Sequence, residues 1–170
     1  ETVNAFNAEK YEDAIKYAEE EIESAKAANY KEALEQSKYV MALSYEVLKN
    51  TDKANELYRE LIKENTKKPD VYIKIFAANQ AAKETDKAIN VLKRGVKNLP
   101  ENAQLKALLG STYLANGNKE EAEKIIQSLL ALGEKKEVFN YVGDIYHDAN
   151  DITKAEEYYN KSLALEPTQS

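Results

Sequence analysis

The only histidine of the chain, His147, lies in a short stretch rich in carboxylates. Asp144, His147 and Asp148 are spaced i, i+3 and i+4, which places all three side chains on one face if this segment is helical. Two carboxylates and an imidazole are side chains that hold divalent metal ions or transfer protons. This stretch is therefore the first candidate for metal binding or acid/base chemistry.

The rest of the sequence does not supply the partners that such chemistry needs. A catalytic zinc site usually has three firm ligands, often two histidines, and this chain has one histidine and no cysteine. The segment also does not match a calcium-binding loop, because Ile152 interrupts the order of ligands and no glycine makes the sharp turn. We therefore predict no catalytic residue, no metal site, no cofactor and no enzymatic activity, and we interpret His147 as part of a solvated helix end.

A repeat of 33 to 34 residues runs through most of the chain. Its most regular column is an alanine, at Ala54, Ala88, Ala122 and Ala155, spaced 34, 34 and 33 residues apart. A second column in the same register holds Ala42, Phe76, Gly110 and Gly143. A period of this length indicates stacked supersecondary units. Small residues in such columns are expected where two helices cross closely.

Each repeat is predicted to contain two antiparallel helices. In the last repeat Ile145 and Tyr146 belong to an apolar stripe with helical spacing, so we expect them to face the core. Asn150 and Asp151 are turn and cap residues between the two helices, and Pro167 is expected to end the second helix. Because the link is so short, the two helices must be adjacent and antiparallel.

The N-terminal part departs from this period. Ala14 and Ala54 are 40 residues apart, so the first two helices must be longer, at about Ala8–Ala27 and Tyr30–Lys49. Residues 1–7 are expected to be the stub of a truncated helix. Both ends of the chain are expected to be cut, or covered by something outside it.

The tyrosines are explained mainly by packing. Six are in the core columns of the repeat: Tyr11, Tyr45, Tyr58, Tyr113, Tyr146 and Tyr159. Three others do not all fall in these columns and are expected to be partly exposed: Tyr39, Tyr72 and Tyr141.

The columns resemble the tetratricopeptide repeat (TPR) family, whose pattern of aromatic, Leu-Gly, Tyr, Ala, aromatic, Ala and Pro extends over about 34 residues. The last repeat matches this pattern almost column by column, through Phe139, Gly143, Tyr146, Ala155, Tyr159, Ser162 and Pro167. The resemblance divides the chain into a partial first repeat with a long helix, 1–34, and four complete repeats, 35–68, 69–102, 103–135 and 136–170.

The resemblance implies an all-α fold, a right-handed α-solenoid of antiparallel helix pairs (a TPR-like superhelix) with about nine helices. In this family the first helix of each repeat lines a concave groove that binds peptides or helices. Carried over residue by residue, the predicted groove residues are Tyr39, Leu43, Glu46, Ile73, Ala77, Gln80, Ala107, Ser111, Leu114, Asn140, Asp144 and His147.

Composition and resemblance together favour a non-enzymatic protein-interaction scaffold. A net charge of −6 and the absence of a basic cluster argue against nucleic acid as a partner. No apolar run approaches the ~18 residues of a membrane-spanning helix, so no membrane insertion is predicted. The predicted groove changes from apolar to acidic, which favours a protein or peptide with apolar anchors and a basic end. The alternative is a structural segment of a longer array that self-associates or stacks on adjacent domains.

Overall fold

The computed structural model describes residues 1–165 as ten α-helices, with no strand among those residues. The helices are α1 Thr2–Asn7, α2 Tyr11–Ala28, α3 Lys31–Val47, α4 Thr51–Lys63, α5 Pro69–Ala81, α6 Thr85–Asn98, α7 Ala103–Ala115, α8 Lys119–Leu130, α9 Lys136–Asp148 and α10 Ile152–Ala164. The prediction of an all-α fold is confirmed. The count exceeds nine because the expected stub forms the short helix α1. None of these helices is long and apolar enough to cross a membrane.

Two residues in the turn between α9 and α10 end the first helix and cap the second. Asn150 adopts the left-handed conformation with φ 60°, and its N–H donates to the carbonyl of His147 at 2.9 Å. Asp151 then caps α10, because its side chain accepts a hydrogen bond from the backbone N–H of Lys154 at 3.2 Å. The predicted roles of Asn150 and Asp151 are confirmed, whereas Pro167 lies outside the described residues.

The helices fall into two compact units, and the first comprises Glu1–Ala82 with α1 to α5. Helices α2 and α3 have 18 and 17 residues, so the prediction of two long helices near the N-terminus is confirmed. Helices α3 and α4 are antiparallel, since Lys38 in the middle of α3 contacts Glu64 at the end of α4, whereas Glu46 near the end of α3 accepts a hydrogen bond from Tyr58 in the middle of α4. Tyr72 was expected to be partly exposed, and this is wrong. Its side chain is fully buried, and its hydroxyl donates to the Thr66 carbonyl at 3.0 Å.

The second unit begins at Lys83 and contains α6 to α10. Helices α9 and α10 form an antiparallel pair, because the hydroxyl of Ser162 near the end of α10 donates to the carbonyl of Lys136 at the start of α9. Apolar side chains of α7 to α10 share one core cluster, formed by Ala107, Ile126, Leu129, Val138, Val142, Ile145, Tyr146 and Ala155. The expectation that Ile145 and Tyr146 face the core is confirmed.

The repeated small residues lie at close helix contacts. Ala88, Ala122 and Ala155 are at most 1% exposed, so their side chains leave no room for larger ones. At Gly143 the neighbour is an aromatic ring: a Cβ built there would lie 2.5 Å from Cε1 of Tyr159 on α10. At Gly110 it would lie 3.1 Å from Cδ1 of Ile145. The small column therefore makes room for side chains of the neighbouring helix.

Candidate functional site

Three polar side chains near the end of α9, Asp144, His147 and Asp148, form a surface that we call the acidic edge. All three residues are exposed, as the spacing predicted. His147 Nδ1 and Asp148 Oδ1 are 3.9 Å apart, and Ser111 on α7 donates its hydroxyl to Asp148 Oδ2 at 3.4 Å. The acidic edge is therefore next to α7, which carries the other predicted groove residues of this unit.

Asp144 is held in place by the last helix. The hydroxyl of Tyr159 donates to Asp144 Oδ1 at 2.7 Å. Partial burial, then this hydrogen bond and the negative charge of Asp144, raise the pKa of Tyr159 to about 12. Tyr159 therefore stays protonated and keeps donating throughout the neutral pH range.

The carboxylates of the acidic edge have no lysine or arginine partner in the described part of the chain. Within residues 1–165, no lysine or arginine forms an ion pair with Asp144 or Asp148. No group of three histidine, cysteine or acidic side chains in that part of the chain is close enough together to hold a metal ion. Two carboxylates thus face solvent beside the α7 helix without a lysine or arginine from the described residues.

The remaining predicted groove residues of the second unit differ in exposure. Ser111, Leu114 and Asn140 are half-buried, so part of each side chain faces solvent. Leu114 packs against the core cluster of α7 to α10. Ala107 is only 8% exposed and belongs to that cluster, so it offers almost no surface to a ligand. We call the surface formed by Ser111, Leu114, Asn140 and the acidic edge the α7/α9 face.

In the first unit the predicted groove residues are on α3 and α5. Tyr39, Leu43, Glu46 and Ile73 are half-buried, whereas Ala77 and Gln80 are exposed. We call the surface formed by these six residues the α3/α5 face. It combines half-buried apolar side chains with exposed small and polar ones.

The acidic residue of the α3/α5 face is neutralised within the protein. The Lys74 ammonium donates to both carboxylate oxygens of Glu46, at 2.8 and 2.7 Å. The hydroxyl of Tyr58 also donates to Glu46, at 2.8 Å. Burial, then the hydrogen bond to Glu46, raise the pKa of Tyr58. Glu46 is therefore already paired and hydrogen-bonded before any ligand arrives.

Tyr39 is also engaged by neighbouring polar groups. Its hydroxyl donates to Asp70 Oδ2 at 2.6 Å, and the Lys68 ammonium lies 4.5 Å from the centre of its ring. Sequence reasoning did not include Asp70 or Lys74 among the site residues. Their i, i+4 spacing on α5 was the available signal, since it places both side chains on one helix face.

Comparisons with known proteins agree with this architecture. A family model described as tetratricopeptide repeat matches residues 48–110 and 79–140, and a second model with the same description matches residues 136–169. No curated protein matches the sequence.

Several solved structures share the fold at low sequence identity. MamA, residues 41 to the end, from Desulfovibrio magneticus RS-1 is 20% identical with a TM-score of 0.63, and the match covers 99% of this chain and 93% of that one. A second MamA crystal structure is 17% identical with a TM-score of 0.63, covering 96% and 92%. A Podosopora anserina protein described as a kinesin light chain with nearly identical TPR-like repeats is 15% identical with a TM-score of 0.63, covering 96% and 90%. Since the first family model alone spans residues 48–140 of 170, the chain belongs to the tetratricopeptide repeat family.

Proposed function

We propose that this protein is a non-enzymatic interaction scaffold, and that its α7/α9 face binds a peptide or helical segment carrying a basic residue. The observation that carries the proposal is the contrast between the two units. Glu46 on the α3/α5 face is paired with Lys74, whereas Asp144 and Asp148 on the α7/α9 face have no lysine or arginine partner within residues 1–165. A lysine or arginine from a partner would supply the missing countercharge.

Apolar contact must provide most of the affinity. An exposed ion pair contributes about 0.2–1 kcal/mol, which changes affinity only several-fold. Leu114 is a half-buried apolar side chain one helical turn from Ser111, which contacts the acidic edge. A partner side chain packed on Leu114 would gain ~25 cal/mol for each Å² of apolar surface removed from water. The proposed ligand therefore has an apolar anchor next to a basic residue.

The α3/α5 face supports a second, separate contact in the first unit. Leu43 and Ile73 are half-buried apolar side chains, and the Glu46–Lys74 pair beside them is already formed. A ligand there gains little from adding a charge of either sign, because it would have to displace an existing partner. We propose that this face binds through apolar contact alone.

Binding to the α7/α9 face can be tested with a displayed peptide library selected on the purified protein. The selected peptides are expected to contain a lysine or arginine next to an apolar residue. Leu114→Glu is expected to weaken binding at least ~10-fold, because it places a charge where the apolar anchor packs. Asp148→Asn is expected to weaken binding by about 2- to 5-fold, the size expected for one exposed ion pair. Calorimetric titration measures both affinities.

Glu156→Gln is the matched control for Asp148→Asn. It also removes one exposed carboxylate from the second unit, but from α10 and not from the acidic edge. Its affinity should equal that of the unchanged protein, and circular dichroism should show that all variants keep their helices. If Leu114→Glu and Asp148→Asn bind the peptides as tightly as Glu156→Gln, the α7/α9 face is not the binding surface.

Self-association is supported by a different observation. Ile152 and Leu163 on α10 are 46% and 58% exposed, and their separation of 11 residues places them on the same side of the helix. A second copy of the chain packing on this stripe would remove both from water. Sedimentation velocity over a range of concentrations distinguishes the two functions, since a monomer at every concentration argues against self-association.

A further inference from the structure

The turn between α7 and α8 contains the only asparagine in the sequence that is followed by glycine, Asn116–Gly117. Both residues are exposed. Glycine has no side chain to shield its backbone nitrogen, and it allows the chain more conformations than any other residue. A backbone nitrogen next to an asparagine side chain can attack its amide carbon, and glycine hinders that attack least.

We propose that Asn116 is a site of spontaneous deamidation, and that opening of the α7–α8 turn limits its rate. The Gly117 nitrogen loses its proton to the solvent and forms a bond with Cγ of Asn116. The Cγ–Nδ2 bond breaks, Nδ2 takes up a proton, and ammonia leaves behind a five-membered cyclic imide. One water molecule then opens the ring at either carbonyl, so the product is aspartate or isoaspartate with one added negative charge.

In the native turn, hydrogen bonds restrain both the Gly117 N–H and the Asn116 side-chain amide. The Gly117 N–H donates to the Leu114 carbonyl at 3.0 Å, and the Asn118 N–H donates to the Tyr113 carbonyl at 2.9 Å. The Asn116 side-chain Nδ2 donates to the Thr112 carbonyl at 2.7 Å. The first two bonds are those of a helix C-cap with a left-handed residue, here Gly117 at φ 75°. The turn must open before the nitrogen can reach Cγ.

The reaction should weaken the turn in which it occurs. The new carboxylate lies at the C-terminal end of α7, where the helix dipole is already negative. The Asn116 donor to Thr112 is lost, and in isoaspartate the backbone between residues 116 and 117 gains a methylene group, which disturbs the cap. Once formed, the product should therefore open more readily than the original turn.

The full chain tests this proposal when it is incubated at neutral pH in buffer and, in parallel, in guanidinium chloride. Digestion and mass spectrometry then follow the peptide that contains Asn116. We expect a gain of one mass unit and two chromatographically separate products in the denatured sample. In the folded sample the rate should be at least ~10-fold lower, which corresponds to an opening free energy of at least about 1.4 kcal/mol. Equal rates in the two samples would show that the turn does not limit the reaction.

Two controls are built into the chain. Gly117→Lys introduces a residue type that already adopts the left-handed conformation at Lys49 and Lys83. The lysine side chain shields the backbone nitrogen of residue 117. It should slow the reaction several-fold in the denatured sample. Three other left-handed cap residues, Asn29, Asn65 and Asn150, are followed by larger residues. Deamidation of these three as fast as Asn116 in guanidinium chloride would overturn the assignment.

Discussion

Gly143→Ala is expected to destabilise the protein by about 1–2 kcal/mol, because overpacking costs ~1–3 kcal/mol and the better helix propensity of alanine returns only up to about 1 kcal/mol. The added Cβ would lie 2.5 Å from Cε1 and 2.7 Å from Cδ1 of Tyr159. A ring cannot bend away as the tip of a flexible chain can, so α10 or the Tyr159 side chain must shift. Chemical denaturation followed by circular dichroism measures the loss.

Gly110→Ala is the matched control, since it makes the same change in a helix of the same unit. Its closest neighbour would be the terminal methyl of Ile145, at 3.1 Å, which can move, whereas Cγ2 of Ile125 would lie at an ordinary contact distance of 3.5 Å. We therefore expect a change within about 1 kcal/mol of zero, in either direction. If Gly143→Ala is no less stable than Gly110→Ala, the packing of Tyr159 on α9 is not what the structure shows.

The Gly143 contact also connects stability with the proposed function. The same Tyr159 ring that lies over Gly143 donates its hydroxyl to Asp144 of the acidic edge. Moving the ring should therefore release Asp144 as well as loosen the helix pair. In Gly143→Ala, binding of basic peptides is expected to weaken together with stability. In Gly110→Ala neither should change much.

Lys38→Met and Lys106→Met are expected to have different effects on stability, although both lysines are buried. The Lys38 ammonium contacts Glu60 at 2.9 Å and Glu64 at 2.6 Å. Losing these charge-assisted bonds should cost about 1–3 kcal/mol, limited by the partial exposure of both carboxylates. Lys106 instead donates to the Ser128 carbonyl at 2.8 Å and forms no ion pair with any residue from 1 to 165. Replacing it by an apolar side chain should change stability by less than about 1 kcal/mol, because relief of charge burial offsets the lost bond.

The two lysines should also respond to alkaline pH in opposite directions. Burial alone would lower the pKa of Lys38, but hydrogen bonds to Glu64 and Glu60 outweigh it and raise the pKa above its ordinary value of 10.5. Its stabilising contribution is therefore complete below pH 10.5 and is lost as the pH rises through the raised value. Burial lowers the pKa of Lys106, partly opposed by the charge of Glu101. The cost of its buried charge therefore disappears as the pH rises through that lowered value.

Denaturation of each variant and the unchanged protein at neutral and alkaline pH measures these differences. The stability gap between the unchanged protein and Lys38→Met should narrow above pH 10.5. As the pH rises, any gain in stability from Lys106→Met should begin to shrink at a lower pH than the Lys38→Met gap does. Comparing each variant with the unchanged protein under the same conditions cancels the titration of the other lysines and tyrosines. A gap for Lys38→Met that stays constant or widens would contradict the ion-pair assignment.

The helices and their ends could be predicted from the sequence because they depend on neighbours in the chain. The alanines at 88, 122 and 155 recur at a fixed spacing, and a buried helix contact accepts only small side chains there. Asn150 and Asp151 act within one turn of the backbone, where residue type decides the conformation. Tyr72 was misplaced because its column was inferred from an inexact repeat, whereas its burial depends on the packing of α4 and α5.

The sequence by itself thus determined that the chain is a series of helices of the TPR type, and which residues form the turn and cap between α9 and α10. Only the tertiary structure decided which charges remain available. Glu46 looks like Asp148 in the sequence, but Lys74, 28 residues away on α5, neutralises Glu46, and no lysine or arginine among residues 1–165 reaches Asp148. Ion pairing depends on the distance between side chains brought together from different helices. The repeat register determines which residues share a helix face, but it does not determine these distances. The distances leave Asp148 without a lysine or arginine partner among residues 1–165, and this is why the proposed basic ligand is assigned to the α7/α9 face.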